Sequence, residues 1–146
     1  MLPAGYALRP LRPADYDAVR KLWEQTEGVG LNESDSREAI TVFLARNPEL
    51  SLVALDPAGT ISGAVLCGHD GRRGYLHHLA VTPLQRGRGL GRALVDEALD
   101  RLRASGIPKC NIYLFATNHS GRTFWMHEGW SVRDDLLVLQ RGLSGC

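Results

Sequence analysis

Apolar residues recur along this chain with two periods, and the changes between them mark out its elements. Tyr6-Ala7-Leu8-Arg9 reads as a short strand, closed off by Pro10 and Pro13. Pro13 suits a first helical position, with Asp15 in the favoured first turn. Tyr16, Val19, Leu22 and Trp23 then recur at helical spacing, which predicts a helix to about Glu27, broken by Gly28 and Gly30. Asp35 with Glu38 three residues on has the form of a capping box. Ile40, Phe43 and Leu44 make the apolar stripe of a second helix, stopped before Pro48.

From residue 51 the period shortens. Ser51 to Leu55 reads as a strand, Asp56-Pro57-Ala58-Gly59 as a turn, and Thr60 to His69 as the next strand, with Gly63 and Gly68 as bulge or close-approach positions. Asp70 to Gly74 turns the chain into a third strand, Tyr75 to Val81. The helical period returns at Leu90 with Leu94, Val95, Ala98, Leu99 and Leu102, and ends near Ser105-Gly106. Cys110 to Phe115 is nearly all apolar at its end, as expected of a central strand. Asn118 or Ser120 can cap a short helix carrying Phe124, which Gly129 ends. Trp130–Arg133 and Leu136–Gln140 read as a final hairpin turning at Asp134-Asp135, and residues 142–146 as a loose tail. The predicted order is β-α-α-β-β-β-α-β-α-β-β.

The stretch Leu79 to Leu94 is where this pattern acquires chemistry. An apolar strand ends at Val81, a basic loop with glycines at 87, 89 and 91 follows, and a helix starts at Leu90. Strand, glycine loop and helix present unpaired backbone N–H groups and a positive helix end to an anion. Arg86, Arg88 and Arg92 add charge around the same spot. A Walker loop is excluded, because no Lys-Ser or Lys-Thr follows these glycines. A Rossmann fingerprint wants an acid about 20 residues on, where this chain has Lys109, Cys110 and Asn111. What remains, Arg86-Gly87-Arg88-Gly89-Leu90-Gly91, fits Arg/Gln-x-x-Gly-x-Gly/Ala after a Val-x-Pro strand end.

This loop resembles the coenzyme A loop of the GNAT N-acetyltransferase superfamily, whose amides take the pyrophosphate of acetyl-CoA. The predicted element order is also that of the GNAT fold, so the resemblance covers nearly the whole chain. It implies one α/β (α+β) domain over residues 1–146, with a mixed, mostly antiparallel sheet of about seven strands and four helices. The chain looks most like small bacterial members related to the ribosomal-protein and YpeA-type acetyltransferases. Acetyl-CoA is the implied cosubstrate, with Leu79, Ala80, Val81, Arg86, Gly87, Arg88, Gly89, Leu90, Gly91 and Arg92 lining its site. Family members polarise the thioester carbonyl with N–H groups near Leu79 to Val81, which requires a bulge in that strand.

Asn118 to Trp130 resembles the family pattern Asn-x-x-Ala-x-x-Phe-Tyr-x-x-x-Gly-Phe. Asn118 matches the residue that touches the pantetheine arm, although a simple helix cap accounts for it equally. Trp125 stands where relatives commonly hold a Tyr that protonates the leaving thiolate, and an indole N–H is far too weak an acid for that. A thiolate with a pKa of about 8–9 can leave unaided. His77 and His78 lie where many relatives carry a general base, and histidine titrates near neutrality. Adjacent residues of a regular strand point to opposite faces, so only one of the two is expected to face the acceptor. A metal held by His69, His77 and His78 is not expected, since adjacent histidines diverge and no Cys or acid completes the set.

Composition narrows the partners. At 146 residues the chain can bury a core without staples. Its formal net charge of +1 gives no global field for nucleic acid or membrane, and no aromatics interleave the arginines. Cys67, Cys110 and Cys146 form no Cys-x-x-Cys, which predicts a reduced, cytoplasmic protein with no disulfide framework and no acyl-enzyme cysteine. No signal peptide or membrane span is read from the sequence. Glu24, Glu27, Glu33 and Asp35 make the connection between the first two helices acidic, which suits a cationic amine or is simply a solvated surface. The expectation is an N-acetyltransferase acting on a small-molecule or peptide amine by direct attack, as monomer or homodimer. A longer acyl-CoA donor, or a non-catalytic coenzyme-binding module, are its rivals.

Overall fold

The period-2 stretches between residues 51 and 81 form the centre of a five-stranded sheet. In the computed structural model, which describes residues 2–144, β1 (Ala7–Pro10), β2 (Leu52–Leu55), β3 (Ile61–His69), β4 (Gly74–Val81) and β5 (Cys110–Ile112) lie side by side in that order. Strands β1 to β4 pair antiparallel, and β5 runs parallel to β4 from Gly74↔Cys110 to Leu76↔Ile112. The helices are α1 (Tyr16–Glu24), α2 (Arg37–Arg46), α3 (Leu90–Ala104) and α4 (His119–His127). The chain divides into two compact units, Met1–Phe115 with the sheet and α1 to α3, and Ala116–Cys146 with α4.

Within the first unit, β3 is buried from Ser62 to Gly68 because helices cover both its faces. Tyr16, Val19, Leu22 and Trp23 of α1 and Ile40 and Leu44 of α2 share one core with Val53, Ala64, Leu66 and Ala80. A Cβ at Gly68 would lie 2.8 Å from Phe43 Cζ, and one at Gly74 would lie 2.6 Å from Leu102 Cδ1. These glycines let α2 and α3 approach the sheet backbone, as expected of Gly68 from sequence.

Several boundaries differ from expectation. α1 ends at Glu24 rather than about Glu27. Ser36, not Asp35, caps α2, its Oγ accepting from Ala39 N at 3.1 Å. Asp35 instead closes a 3-10 turn, Glu33–Asp35, in a reciprocal box with Asn32. Among the described residues the sheet has five strands rather than about seven, and β5 stops at Ile112 instead of Phe115. Tyr113 and Phe115 are 63% and 58% exposed, so this apolar run borders the sheet among the described residues and is not central.

In the second unit the turn at Asp134-Asp135 forms, braced by Arg133, which donates to both carboxylate oxygens of Asp135 at 2.9 Å. The predicted strands on either side of it do not form. Leu136-Leu137-Val138-Leu139 is apolar at every position and exposed throughout, so no alternation fixes which face pairs inward. Of the predicted tail, residues 142–144 carry no helix or strand, and 145–146 lie outside the described residues. Among the described residues, no helix is long and apolar enough to cross a membrane.

Candidate functional site

The pairing of β3 with β4 runs Ala64↔Ala80 and then Leu66↔His77, so Val65 faces both His78 and Leu79. The extra residue is a β-bulge, and His78 takes a φ of +53°, a conformation uncommon outside glycine. It lies one step before the Leu79 to Val81 segment where the family resemblance called for a bulge. Its consequence corrects the expectation for the histidine pair. In a regular strand the two rings would diverge, but while His77 keeps the face of Tyr75 in the regular part of the strand, the bulge brings His78 toward the same α1 and α2 side. The His77 ring lies 6.2 Å from Phe43 of α2, the His78 ring 5.1 Å from Trp23 of α1, and the two rings 6.5 Å from each other.

The two imidazoles sit in different surroundings. His77 lies among rings, with Tyr75 nearly parallel to it and Tyr113 inclined by 29°, at 6.2 Å each. Burial pushes its pKa below the ordinary histidine value, the neighbouring His78 pushes the same way, and Asp35 opposes both. Its surroundings therefore favour the neutral imidazole over the charged one. His78 Nε2 lies 2.9 Å from Asp35 Oδ1. The sequence left Asp35 grouped with the acidic loop residues, yet only Glu24, Glu27 and Glu33 are exposed. Asp35 is buried, and its backbone carbonyl accepts from the Tyr16 hydroxyl at 2.5 Å and from Arg20 Nη1 at 3.3 Å. A one-residue change of role, from cap of α2 to end of the preceding turn, is what carries it inward.

After β4 the chain makes a 3-10 turn, Pro83–Gln85, and enters the glycine loop. Gly87 and Gly89 take φ of +79° and +82°, and Gly89 is the N-cap of α3. A glycine cap has no side chain to satisfy the first N–H groups of the helix, so those of Leu90, Gly91 and Arg92 lack an intrahelical acceptor. Residues 86–89 are exposed, while Leu90 is buried and anchors the helix start. The arginines also brace the loop itself. Arg86 Nε donates to Val81 O at 3.1 Å, Arg88 Nη1 donates to the Tyr6 hydroxyl at 3.3 Å, and Arg92 lies 3.7 Å from Asp96. Of the strand residues, Ala80 is buried in the core and Leu79 and Val81 are half-buried.

In the second unit Asn118 Oδ1 accepts from Gly121 N at 2.9 Å, so this side chain caps α4. Trp125 packs edge-on against Phe124 and Trp130, with centroids 5.2 and 5.1 Å away. Burial raises the Cys67 thiol to about 12 and the Cys110 thiol to about 11, leaving neither as a thiolate nucleophile near neutrality. Among the described residues no group of three or more His, Cys, Asp or Glu is arranged to hold a metal ion.

Comparison with known proteins bears on the fold and the family. An acetyltransferase of Sodalis glossinidius is 32% identical over 136 residues, covering 93% of this chain and 94% of the relative. One of Pectobacterium atrosepticum is 36% identical over 121 residues, 83% of each chain. Among solved structures, Ard1 of Thermoplasma volcanium aligns with a TM-score of 0.78 at 18% identity, covering 89% of this chain and 85% of that one. The PaiA N-acetyltransferase of Thermoplasma acidophilum, solved with coenzyme A, aligns at 0.76 and 23% identity, covering 88% and 91%. Residues 16–129 match the model of the acetyltransferase (GNAT) family, and this chain belongs to that family.

Proposed function

We propose that the protein transfers an acetyl group from acetyl-CoA to a primary amine by direct attack in a ternary complex. The observation that carries this reading is the bulged strand β4 leading, through one 3-10 turn and the glycine loop, into a helix start with no side-chain cap, with two imidazoles carried by the same strand. The N–H groups of residues 87–92, with Arg86, Arg88 and Arg92, are the proposed pyrophosphate site. The coenzyme A bound to the PaiA enzyme of the same fold supports the assignment. Leu79, Ala80 and Val81 line the thioester, where a backbone N–H can meet the developing oxyanion. Asn118 is proposed as a contact to the pantetheine arm on the family pattern alone, and Trp125, which departs from that pattern, as a coenzyme contact that packs against the thioester or donates to its sulfur.

The chemistry then makes few demands. One of His77 and His78 takes a proton from the incoming ammonium, and the freed amine nitrogen attacks the thioester carbon. The carbon–sulfur bond breaks with its electron pair on sulfur, and the second N–H proton, released from nitrogen as the amide forms, is taken up by the departing thiolate, so no protein acid is needed. An acyl-enzyme route is disfavoured by the protonated state of both described cysteines. A screen of acetyl-CoA turnover over peptides, polyamines, amino acids and aminoglycosides, read as free thiol, tests the proposal. Amine-dependent thiol release is the expected result. Coenzyme A binding with no release for any amine would leave a binding module, and faster release with a longer acyl-CoA would reassign the donor.

A further inference from the structure

Asp35 and His78 stand 43 positions apart in the chain, and the geometry of each serves the other. The Asp35 side chain is 6% exposed and that of His78 16%. A carboxylate so far removed from water is costly unless its oxygens are engaged. One oxygen, Oδ2, accepts from Asn32 N at 3.1 Å within its own turn. The other, Oδ1, has His78 Nε2 at 2.9 Å. On the opposite side, a left-handed φ at the bulge is what delivers the imidazole to this point, with the Trp23 ring against it. Tyr16 and Arg20 of α1 hold the Asp35 backbone in place.

An ionised carboxylate only accepts hydrogen bonds, so the nitrogen facing it must carry the hydrogen. In the neutral ring this leaves the lone pair on Nδ1. We propose that Asp35 is a positioning residue that keeps the His78 hydrogen on Nε2, so that Nδ1 of His78 is the atom that takes the proton from the substrate ammonium. This rests on the acyl-transfer reading above and chooses between its two histidines. The N–H bond of the ammonium breaks, its proton binds Nδ1, and the nitrogen lone pair forms the new bond to the thioester carbon. Asp35 stays ionised and faces the imidazolium that results, as a carboxylate beside a catalytic histidine does elsewhere.

The partners of Asp35 supply a selective test. In Asp35→Asn the Asn32 N–H is a fixed donor and claims the amide oxygen, which leaves the amide NH₂ facing His78 Nε2. Both contacts survive, but Nε2 must now accept and the hydrogen moves to Nδ1. Asp35→Asn is expected to keep coenzyme A affinity and to lose about 10²–10⁴-fold in kcat, the contribution of a general base. His78→Gln is expected to lose as much, and the double variant no more than the larger single loss, because Asp35 acts only through His78. Losses that multiply in the double variant, or parental kcat in Asp35→Asn, overturn the proposal.

Nitrogen-15 NMR of the parent reads the ring directly and needs no variant to fold. A neutral His78 protonated on Nε2 supports the assignment. Hydrogen on Nδ1, or a doubly protonated ring across the pH range of turnover, overturns it. A parent that binds coenzyme A yet releases none with any amine defeats the acyl-transfer reading instead, and the ring spectrum still decides the Asp35–His78 pairing.

Discussion

His77 shows how much one residue's role depends on a neighbour's backbone. Its ring lies among Phe43, Tyr75 and Tyr113, where burial favours the neutral imidazole, and the bulge at the next residue brings the His78 ring to 6.5 Å, which favours it further. The thermodynamic consequence has a definite sign. The folded-state pKa lies below the unfolded value of about 6.5, so as pH falls through that value the unfolded chain gains a proton that the folded chain refuses. Stability attributable to His77 is complete above that pH and declines below it. His78 and Asp35 act on the same ring in opposite senses, His78 with burial and Asp35 against it, so the comparison is made between the parent and a variant that lacks only this ring. In urea unfolding, His77→Gln is expected to lie further below the parent at pH 8 than at pH 5.5. An equal gap at both values would mean that the folded protein does not hold this ring neutral.

At the scale of elements, what the sequence made legible was whatever a local period or a local cap decides. The three central strands, the helix from Leu90 and the turn at Asp56 follow from spacing and turn chemistry, and all are present. The face of each histidine was not legible, because a single inserted residue inverts the parity on which the reading of opposite faces depends. Asp35 was misplaced for a similar reason. A cap shifted by one residue to Ser36 turns a surface carboxylate inward, and no composition or period registers that shift. The final hairpin failed because Leu136 to Leu139 offers no polar alternation to choose a register.

The two ends of α3 give a prediction at this same scale. Arg86 precedes its N-terminus, while Arg101 in its last turn pairs with Glu97 at 2.9 Å and donates to Glu49 O at 2.6 Å. Arg86→Ala is expected to weaken coenzyme A binding by about 1–3 kcal/mol, the loss of a charge-assisted hydrogen bond. Arg101→Ala is expected to leave that affinity alone and to lower stability through its lost contacts. Calorimetric titration that finds equal losses of affinity would mean diffuse attraction in place of a site.

For the whole molecule, a formal net charge of +1 provides no long-range pull on a polyanionic coenzyme, so binding energy has to come from the loop. Binding to the folded chain alone raises global stability by mass action. At a free coenzyme concentration of 100 times Kd the gain is about 2.7 kcal/mol, or roughly 5–11 °C in Tm for a chain of this size. Gly89→Glu sets a bulky anion at the cap of α3, where the pyrophosphate is proposed to approach. It also forces a side chain into a φ of +82°, which costs about 1–2 kcal/mol in any L residue. The free variant is therefore expected to melt below the parent, and the decisive reading is the shift on adding coenzyme A, not the starting Tm. Gly89→Ala carries the same backbone cost without the charge and serves as the control. The expected outcome is no coenzyme-induced shift in the glutamate variant and a retained, smaller one in the alanine variant. A parental shift in Gly89→Glu would separate the loop from coenzyme binding altogether.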